Sequence, residues 1–420
     1  MGHPLSTPSN PMHFWLLLIA ALVPTISFAS PALNVQRIDF AAGEKAAQPS
    51  VTVDAREGFV VTWQERDGAD SALQFAVIDP AGTQLRRGTV AAGRDWFINN
   101  ADFPNLAVLD NGDWVTFWLQ KTSPDTYSYA IRLVRSRDAG RHWDTPVLLN
   151  RDDTDTEHGF VSMTAAGDDR VRAIWLDGRR MAGASAGADH DHAVAEHMTL
   201  RTAVLDREGV HADERELDAL TCACCQTDSA RGGQRSAYVY RDRTEAETRD
   251  IAVLSIADQR WTESRSLHAD GWTIAGCPVN GPAITASGDR FAALWPSMAT
   301  GEMRIALKMG DGLTFGAAHT LAEGATELGR VDIARWQQGR WLASRVVSAE
   351  NRPTLRLSLI DDAGVVSWQH DLANAVGGFP RLASAGDVAL VVWAEAGDSP
   401  ANSRIGVARV SAPAPAPKSD

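Results

Sequence analysis

The chain has 420 residues, of which 44% are hydrophobic and 22% are charged, and its formal net charge at pH 7 is −13. A chain of this length and apolar content can bury a large core. The acidic balance argues against nucleic acid as a partner, because binding to phosphates requires a basic face.

The N-terminal segment predicts a secretory signal peptide over residues 1–29. The run FWLLLIAALVPTISFAS is apolar, too short to span a bilayer comfortably, and ends at Ser27-Phe28-Ala29 in a pattern typical of a signal-peptidase site. Met12 is an alternative start. We therefore expect a periplasmic or secreted protein with no membrane span after cleavage, in an oxidising environment where disulfides persist.

The exported part of the chain repeats one pattern, in which a Pro or Gly precedes an alternating strand, a polar turn and a second strand ending in Trp. Clear copies are QPSVTVDAREGFVVTW, FPNLAVLDNGDWVTFW, HGFVSMTAAGDDRVRAIW, GPAITASGDRFAALW, LGRVDIARWQQGRW and FPRLASAGDVALVVW. An irregular Cys-rich copy begins near Gln226, and in it Tyr240 replaces the Trp. Successive copies start about 47 to 67 residues apart. This spacing predicts an all-β, seven-bladed β-propeller, with six blades as the alternative if one copy is an insertion.

Each copy continues with a third strand and a weaker fourth, except the last. That copy ends at SRIGVARVS and runs into APAPAPKSD, which is typical of a disordered tail over residues 412–420. The segment LNVQRIDF after the signal belongs to no copy and is predicted to supply the missing strand, which removes exposed strand edges. We expect one propeller domain over residues 30–411, and a monomer.

The segment SRDAGRHW, from Ser136 to Trp143, contains the pattern Ser-x-Asp-x-Gly-x-x-Trp. This is the pattern of the Asp-box, and the chain resembles the sialidase-like superfamily of propellers with BNR repeats, in particular its exported bacterial members. In such a turn Asp138 bonds backbone amides, Gly140 takes a positive φ, and Trp143 packs between neighbouring sheets. The resemblance implies a propeller fold for the exported chain.

The Asp-box lies between strands three and four, on the face opposite the entrances to the first strands. In a four-stranded antiparallel blade, the start of strand one and the end of strand two share a face. The residues ahead of the first strands therefore meet at one mouth of the ring, where a ligand site is expected. They are Asn99, Asn100, Asp102, Glu157, His158, Cys222, Cys224, Cys225, Gln226, Cys277, Asn280, Arg330, Asp332 and Arg381, joined from the 2-3 loops by Asp177, Arg179, Arg241 and Asp242.

All four cysteines fall on this face. Cys222, Cys224 and Cys225 precede one first strand and Cys277 precedes the next, so a disulfide between the two loops would link adjacent blades. The spacing does not match the two Cys-x-x-Cys hairpins of a four-thiolate zinc site. Copper bound as copper(I) by these thiols, with His158 and the histidines of ADHDHAVAEHM as further ligands, is the alternative.

The resemblance implies glycoside hydrolysis of the sialidase type, which uses arginines to bind a carboxylate, a Tyr activated by Glu as nucleophile, and an acidic proton donor. The candidates on this face are Arg241, Arg330 and Arg381 for the arginines, Tyr240 for the nucleophile, and Asp242 or Asp332 for the acid. Two hypotheses stay open. One is a hydrolase acting on a carboxylated sugar without a cofactor, and the other is a non-catalytic propeller that binds a glycan, a protein or copper. The hydrolase hypothesis, like the glycan one, expects an anionic small molecule or glycan at the mouth.

Overall fold

A computed structural model describes residues 2, 32–43, 45–167, 169–182, 197–312, 314–374, 376–396 and 403–413. Apart from residue 2, the predicted signal lies outside these ranges, as do His190 and His192 and the tail after residue 413. Two 3₁₀ turns, Arg179–Met181 and Gln337–Gly339, are the helical elements of the described part. Within it, no helix is long and apolar enough to cross a membrane.

Seven antiparallel sheets surround an axis, and each forms one blade. The chain begins with β1 (Asn34–Ile38). Blade 1 contains β2 (Ala46–Asp54), β3 (Gly58–Asp67), β4 (Asp70–Ile78) and β5 (Gln84–Arg94); blade 2 contains β6 (Leu106–Val108), β7 (Trp114–Lys121), β8 (Tyr129–Ser136) and β9 (Val147–Leu148); blade 3 contains β10 (His158–Ala165), β11 (Val171–Asp177), β12 (Thr199–Leu205) and β13 (His211–Asp218).

The remaining blades have the same order of strands. Blade 4 contains β14 (Asp228–Gly232), β15 (Arg235–Arg241), β16 (Ile251–Ala257), β17 (Arg260–Trp261) and β18 (Arg265–Ser266); blade 5 contains β19 (Ala283–Ser287), β20 (Arg290–Ser297), β21 (Arg304–Asp311), β22 (Thr314–Phe315) and β23 (His319–Glu323); blade 6 contains β24 (Glu327–Trp336), β25 (Arg340–Ala349), β26 (Arg352–Ile360) and β27 (Val366–Asn374); blade 7 contains β28 (Val376–Ala385), β29 (Val388–Glu395) and β30 (Arg404–Ser411).

The N-terminal strand closes the ring. β1 pairs antiparallel with β30, with Asn34 opposite Ser411 and Ile38 opposite Val407, and so becomes the outer strand of blade 7. The predicted closure is therefore confirmed. The seven-bladed fold is also confirmed, and the six-bladed alternative is wrong because the Cys-rich copy forms blade 4.

The hydrophobic core lies between the blades. Seven apolar clusters each join two neighbouring sheets, since every sheet is apolar on both faces. Six tryptophans are fully buried in these seams, namely Trp63, Trp114, Trp175, Trp295, Trp341 and Trp393. Each donates its indole N–H to a carboxylate, for example Trp175 to Asp177 at 2.7 Å, which satisfies a donor that burial would otherwise leave unpaired.

The turn from Ser136 to Trp143 connects β8 to β9. The Ser136 hydroxyl accepts the Gly140 amide at 2.7 Å, and the Asp138 carboxylate accepts the His142 amide at 2.8 Å. Gly140 has a φ of +84°. The Trp143 ring meets Phe75 of blade 1 edge-on, with their centroids 6.1 Å apart. The turn therefore fastens blade 2 to blade 1.

Deletion of residues 32–40 should lower the thermal midpoint by several degrees, because it exposes the edge of β30 and removes Val35 and Ile38 from two seams. Thermal unfolding followed by circular dichroism measures this. A Gln36→Ala variant changes an exposed side chain of β1 and keeps the strand, so it should unfold with the wild type. An unchanged midpoint in the deletion would show that β1 contributes nothing to closure.

Candidate functional site at the mouth of the ring

Hydrogen bonds between neighbouring first strands form an inner ring around the axis. In four places an Asp or Asn side chain accepts the backbone amide of the next blade: Asp102 from Phe160 at 2.8 Å, Asp228 from Ile284 at 2.9 Å, Asn280 from Arg330 at 2.8 Å and Asp332 from Leu382 at 2.8 Å. The amide of Gln226 adds a bond to the Ala101 carbonyl at 2.7 Å, which links blade 4 to blade 2. Much of the polar surface at the mouth therefore holds blades together.

Asp102 is the most isolated carboxyl of this ring. One of its oxygens, Oδ1, is buried and has no hydrogen-bond partner among the described residues. Burial raises the pKa of Asp102 to about 8, although the hydrogen bond from the Phe160 amide lowers it. The charge of Glu157 adds to the rise. The side chain lines an axial cavity of about 150 Å³. Because of its raised pKa, the Asp102 carboxyl is neutral at pH 7.

Arg381 lines the same cavity as Asp102, and its partner Asp332 is buried. The Arg381 guanidinium lies 3.3 Å from Asp332 and 3.6 Å from Asp228, and its centre is 5.1 Å from the centroid of the Phe103 ring. Burial raises the pKa of Asp332 to about 7, although the charge of Arg381 opposes this. The predicted arginine and the predicted acid are thus each other's partners, and the Arg381 charge is balanced within the protein.

Arg241 is held inside the protein. The side chain is 1% exposed and makes four hydrogen bonds to backbone carbonyls: two to Asn280 at 3.1 and 2.7 Å, one to Arg249 at 2.6 Å and one to Pro296 at 2.9 Å. Its guanidinium also stacks 4.7 Å from the Trp272 ring centroid. Arg241 therefore joins blade 4 to blade 5, and it does not meet Arg330 or Arg381 in a common clamp.

Arg330 differs from the other two arginines. It is half-buried, donates one hydrogen bond to the Gly378 carbonyl at 3.3 Å, and has no carboxylate partner in the described part of the chain. Its guanidinium centre lies 5.9 Å from the Phe379 ring centroid, and burial lowers its pKa. Gly378 and Phe379 also line a cleft of about 670 Å³ together with Gln48 and Phe103. A cation without a counterion therefore lies beside an open cleft.

Tyr240 and Asp242 lie with Asp218 between blades 3 and 4. The Tyr240 hydroxyl donates to Asp218 and is 2.6 Å from the Ser264 hydroxyl, and the residue is fully buried. Burial and the Asp218 charge raise the pKa of Tyr240 far above its usual range, and they raise that of Asp242 to about 7. Neither side chain is brought to Arg330, and Tyr240 is not exposed as a nucleophile needs to be.

The four cysteines converge, as predicted for the two loops, but they are free thiols. The Cys222 sulfur lies 3.5 Å from that of Cys225 and 3.7 Å from that of Cys224, far beyond the roughly 2.05 Å of a disulfide. The Cys277 thiol interacts with that of Cys224. Hydrogen bonds from Cys224 and Cys225 lower the pKa of Cys222, and the positive charge of nearby Arg241 lowers it further. The disulfide predicted between these loops is absent.

His158 is not placed among the thiols. Its Nε2 atom lies 2.8 Å from Asp152 and 3.8 Å from Asp177, and Arg179 bonds to Asp177 at 2.7 Å. Burial lowers the His158 pKa, but the hydrogen bond to Asp152 and the charges of Asp177 and Asp152 outweigh it, so the net pKa is raised. His158 is thus the centre of a separate ion cluster in blade 3.

Sequence reasoning missed Arg249 beside the thiols and Tyr129 beside Glu157. Arg249 donates to the Cys222 sulfur at 3.3 Å and to Glu247 at 2.7 Å. Tyr129 donates to Glu157 at 2.7 Å, and burial raises the Glu157 pKa to about 7. Arg249 lies just ahead of the third strand of blade 4, β16. In an antiparallel blade the start of the third strand is on the same face as the start of the first, so this position could have placed Arg249 at the mouth.

No protein-family model matches the chain, and no curated protein matches it. Among solved structures, a protein of unknown function from Dyadobacter fermentans aligns with a TM-score of 0.52 at 10% identity, over 90% of this chain and 99% of that one. The polysaccharide lyase Uly1 aligns with a TM-score of 0.51 at 7% identity, over 89% and 92%. A NanB sialidase mutant from Streptococcus pneumoniae gives 0.46 at 8% identity, over 90% and 94%. At such identities the likeness shows the propeller fold alone.

Replacing Arg241 by Met should cost about 3 to 5 kcal/mol of unfolding free energy, because three buried backbone carbonyls lose a charged donor. Urea unfolding measures the difference. Arg330→Met is the matched control and should change stability by less than about 1 kcal/mol. Equal stability of the two variants would contradict the structural role of Arg241.

The Asp102 carboxyl should make stability fall as the pH rises. Its folded pKa of about 8 is above the unfolded value of 3.8, so its contribution is fully present below the unfolded pKa and is lost as the pH rises through the folded pKa. Asp102→Asn should therefore stabilise the protein more at about pH 8 than at about pH 5, as read from urea midpoints. The same change at Asp54 should destabilise at both pH values, because hydrogen bonds from Arg56 and Trp114 outweigh burial and lower the pKa of Asp54.

Proposed function

We propose that the protein is an exported propeller that binds an anionic glycan over the mouth of the ring, with Arg330 contacting an acidic group of the sugar. The supporting observation is the half-buried Arg330 guanidinium, which has no carboxylate partner among the described residues. A guanidinium binds a carboxylate through two parallel hydrogen bonds. The overall charge of −13 opposes an anion only at long range, because salt screens it beyond about 8 to 10 Å.

The cleft beside Arg330 suits a sugar. Its volume of about 670 Å³ is in the range of small-molecule sites, roughly 300 to 1,000 Å³. Phe103 and Phe379, with ring centroids 6.2 Å apart, provide apolar surface, and the exposed Asn100 provides polar groups. A sugar ring presents both an apolar face and hydroxyls, so this mixture of side chains can contact both.

The comparisons are compatible with this assignment. A protein named as a polysaccharide lyase has the same fold over most of its length. Because one fold carries many functions, the proposal for this chain depends on Arg330 and the cleft and not on that likeness.

Binding without hydrolysis is the form of the proposal that the geometry favours. Tyr240 is fully buried against Asp218, Asp242 lies in the same seam, and Asp332 is paired with Arg381. None of the three is presented to a sugar held by Arg330. A screen of chromogenic sialosides and uronides should therefore detect no turnover. Turnover that disappears in Arg330→Ala would replace the binding role by a catalytic one.

Export rests on the signal sequence over residues 1–29. Protein expressed with its native N-terminus in a bacterial host should be recovered from the periplasm or medium with Ser30 as its first residue. N-terminal sequencing of that fraction tests this. Protein that stays in the cytoplasm with an intact leader would contradict export.

Arg330→Ala should weaken binding of sialylated or uronate oligosaccharides at least about tenfold, since a charge-assisted bidentate contact is lost. Isothermal titration at two salt concentrations measures this, and Arg330→Lys should give an intermediate affinity. Arg137→Ala, on the face of the Ser136–Trp143 turn, is the control and should bind as the wild type does. Loss of binding in Arg137→Ala with retention in Arg330→Ala would place the ligand on the opposite face.

A further inference from the structure

We propose that Cys222, Cys224 and Cys225, with Cys277 as a fourth donor, form a binding site for one copper(I) ion. This site is separate from the glycan cleft and does not depend on the function proposed for Arg330. The sulfur atoms of the first three lie within 4.8 Å of one another, and they belong to one loop that enters blade 4.

The sulfur spacing suits a shared metal ion. Metal–thiolate bonds are about 2.3 Å long, so two sulfurs on one ion are roughly 3.8 Å apart at the tetrahedral angle and roughly 4.0 Å apart in a plane. The observed separations from Cys222 are 3.5 Å to Cys225 and 3.7 Å to Cys224. Small side-chain rotations would place the three sulfurs around one ion without movement of the backbone.

The surroundings favour thiolates. Arg249 donates to the Cys222 sulfur at 3.3 Å, and its other nitrogens are held by Glu247. The backbone amide of Asn280 donates to the Cys225 sulfur at 3.4 Å. Hydrogen-bond donors and fixed positive charge around sulfur stabilise the anion that a metal binds. Cys222 and Cys225 are buried, whereas Cys277 is exposed at the opening, so the site has a closed floor and an accessible entrance.

The spacing of the thiols favours copper(I) over zinc. Within the described chain, this group of close donors contains sulfur alone, because His158 is held by Asp152 and Asp177. Soft thiolate donors suit copper(I), and they also suit zinc, so the spacing of the cysteines has to distinguish the two metals. A structural zinc site of four thiolates normally uses two Cys-x-x-Cys hairpins, which this chain lacks.

The experiment titrates copper(I) into reduced protein kept free of oxygen, in competition with a chromogenic copper(I) chelator. We expect one equivalent to be retained by the protein, and X-ray absorption to show sulfur as the only neighbour of the metal. Cys222→Ser and Cys224→Ser should each lower affinity at least about 100-fold. His142→Gln, an exposed histidine on the other face, should have no effect.

Three results would overturn the proposal: copper retained equally by the wild type and Cys224→Ser, zinc bound at one equivalent that copper(I) does not displace, or disulfides among these cysteines in freshly exported protein. Cys224 is only half-buried, so its Ser variant remains informative if Cys222→Ser fails to fold. Cys277→Ser decides the coordination number. A modest loss of affinity means three strong ligands, and a loss equal to that of Cys224→Ser means four. Glycan binding by Arg330→Ala is measured separately, so failure of one site leaves the other intact.

Discussion

The inner ring of side chain to amide hydrogen bonds is the constraint on which the rest of the molecule depends. Each bond requires a first strand to bend so that its amide reaches the carboxylate or amide of the preceding blade. Two of these strands do so with a residue in the left-handed region, with φ of +53° at Phe160 and +51° at Arg330. Such backbone is costly for residues other than glycine and persists only where the surrounding contacts hold it in place.

Close packing at the ring explains two glycines. A Cβ on Gly159 would lie 2.0 Å from the Asp102 carboxylate, and one on Gly281 would lie 2.3 Å from the Gln226 carbonyl. The same packing removes water from the ring carboxyls and so raises their pKa. Arg381 compensates for two of them, and Asp102 stays neutral instead. Most polar side chains at the mouth therefore bond to other groups of the protein. Arg330 differs from them, because it has no carboxylate partner among the described residues.

The sequence predicts the blades well because strand alternation and the Trp spacing are local properties that the packing of sheets enforces. It predicts the arginine roles poorly, because whether a guanidinium meets solvent or a carbonyl depends on the neighbouring blade. Arg241 and Arg330 both lie at the predicted mouth, yet only the fold shows that Arg241 faces Asn280. The cysteines were predicted to converge because their loops are adjacent, but sulfur separations depend on side-chain rotamers that no spacing encodes. Trp341 is the second residue of β25 although the repeat pattern placed it at the end of a strand, because the pattern predicts burial more firmly than position along the strand.

The pairing of β1 with β30 also determines when the domain can be completed. β1 precedes the first strands of all seven blades and its partner β30 follows the other six blades, so more than 350 residues separate the two strands of this one ladder. Contacts of such long sequence separation form slowly, because the entropy of closing the intervening chain must be overcome first. Six blades can assemble as the chain emerges, while the seventh waits for both ends. The ring is thus closed by a strand that is made after the other six blades, and β1 lies beside it at the outer edge of blade 7.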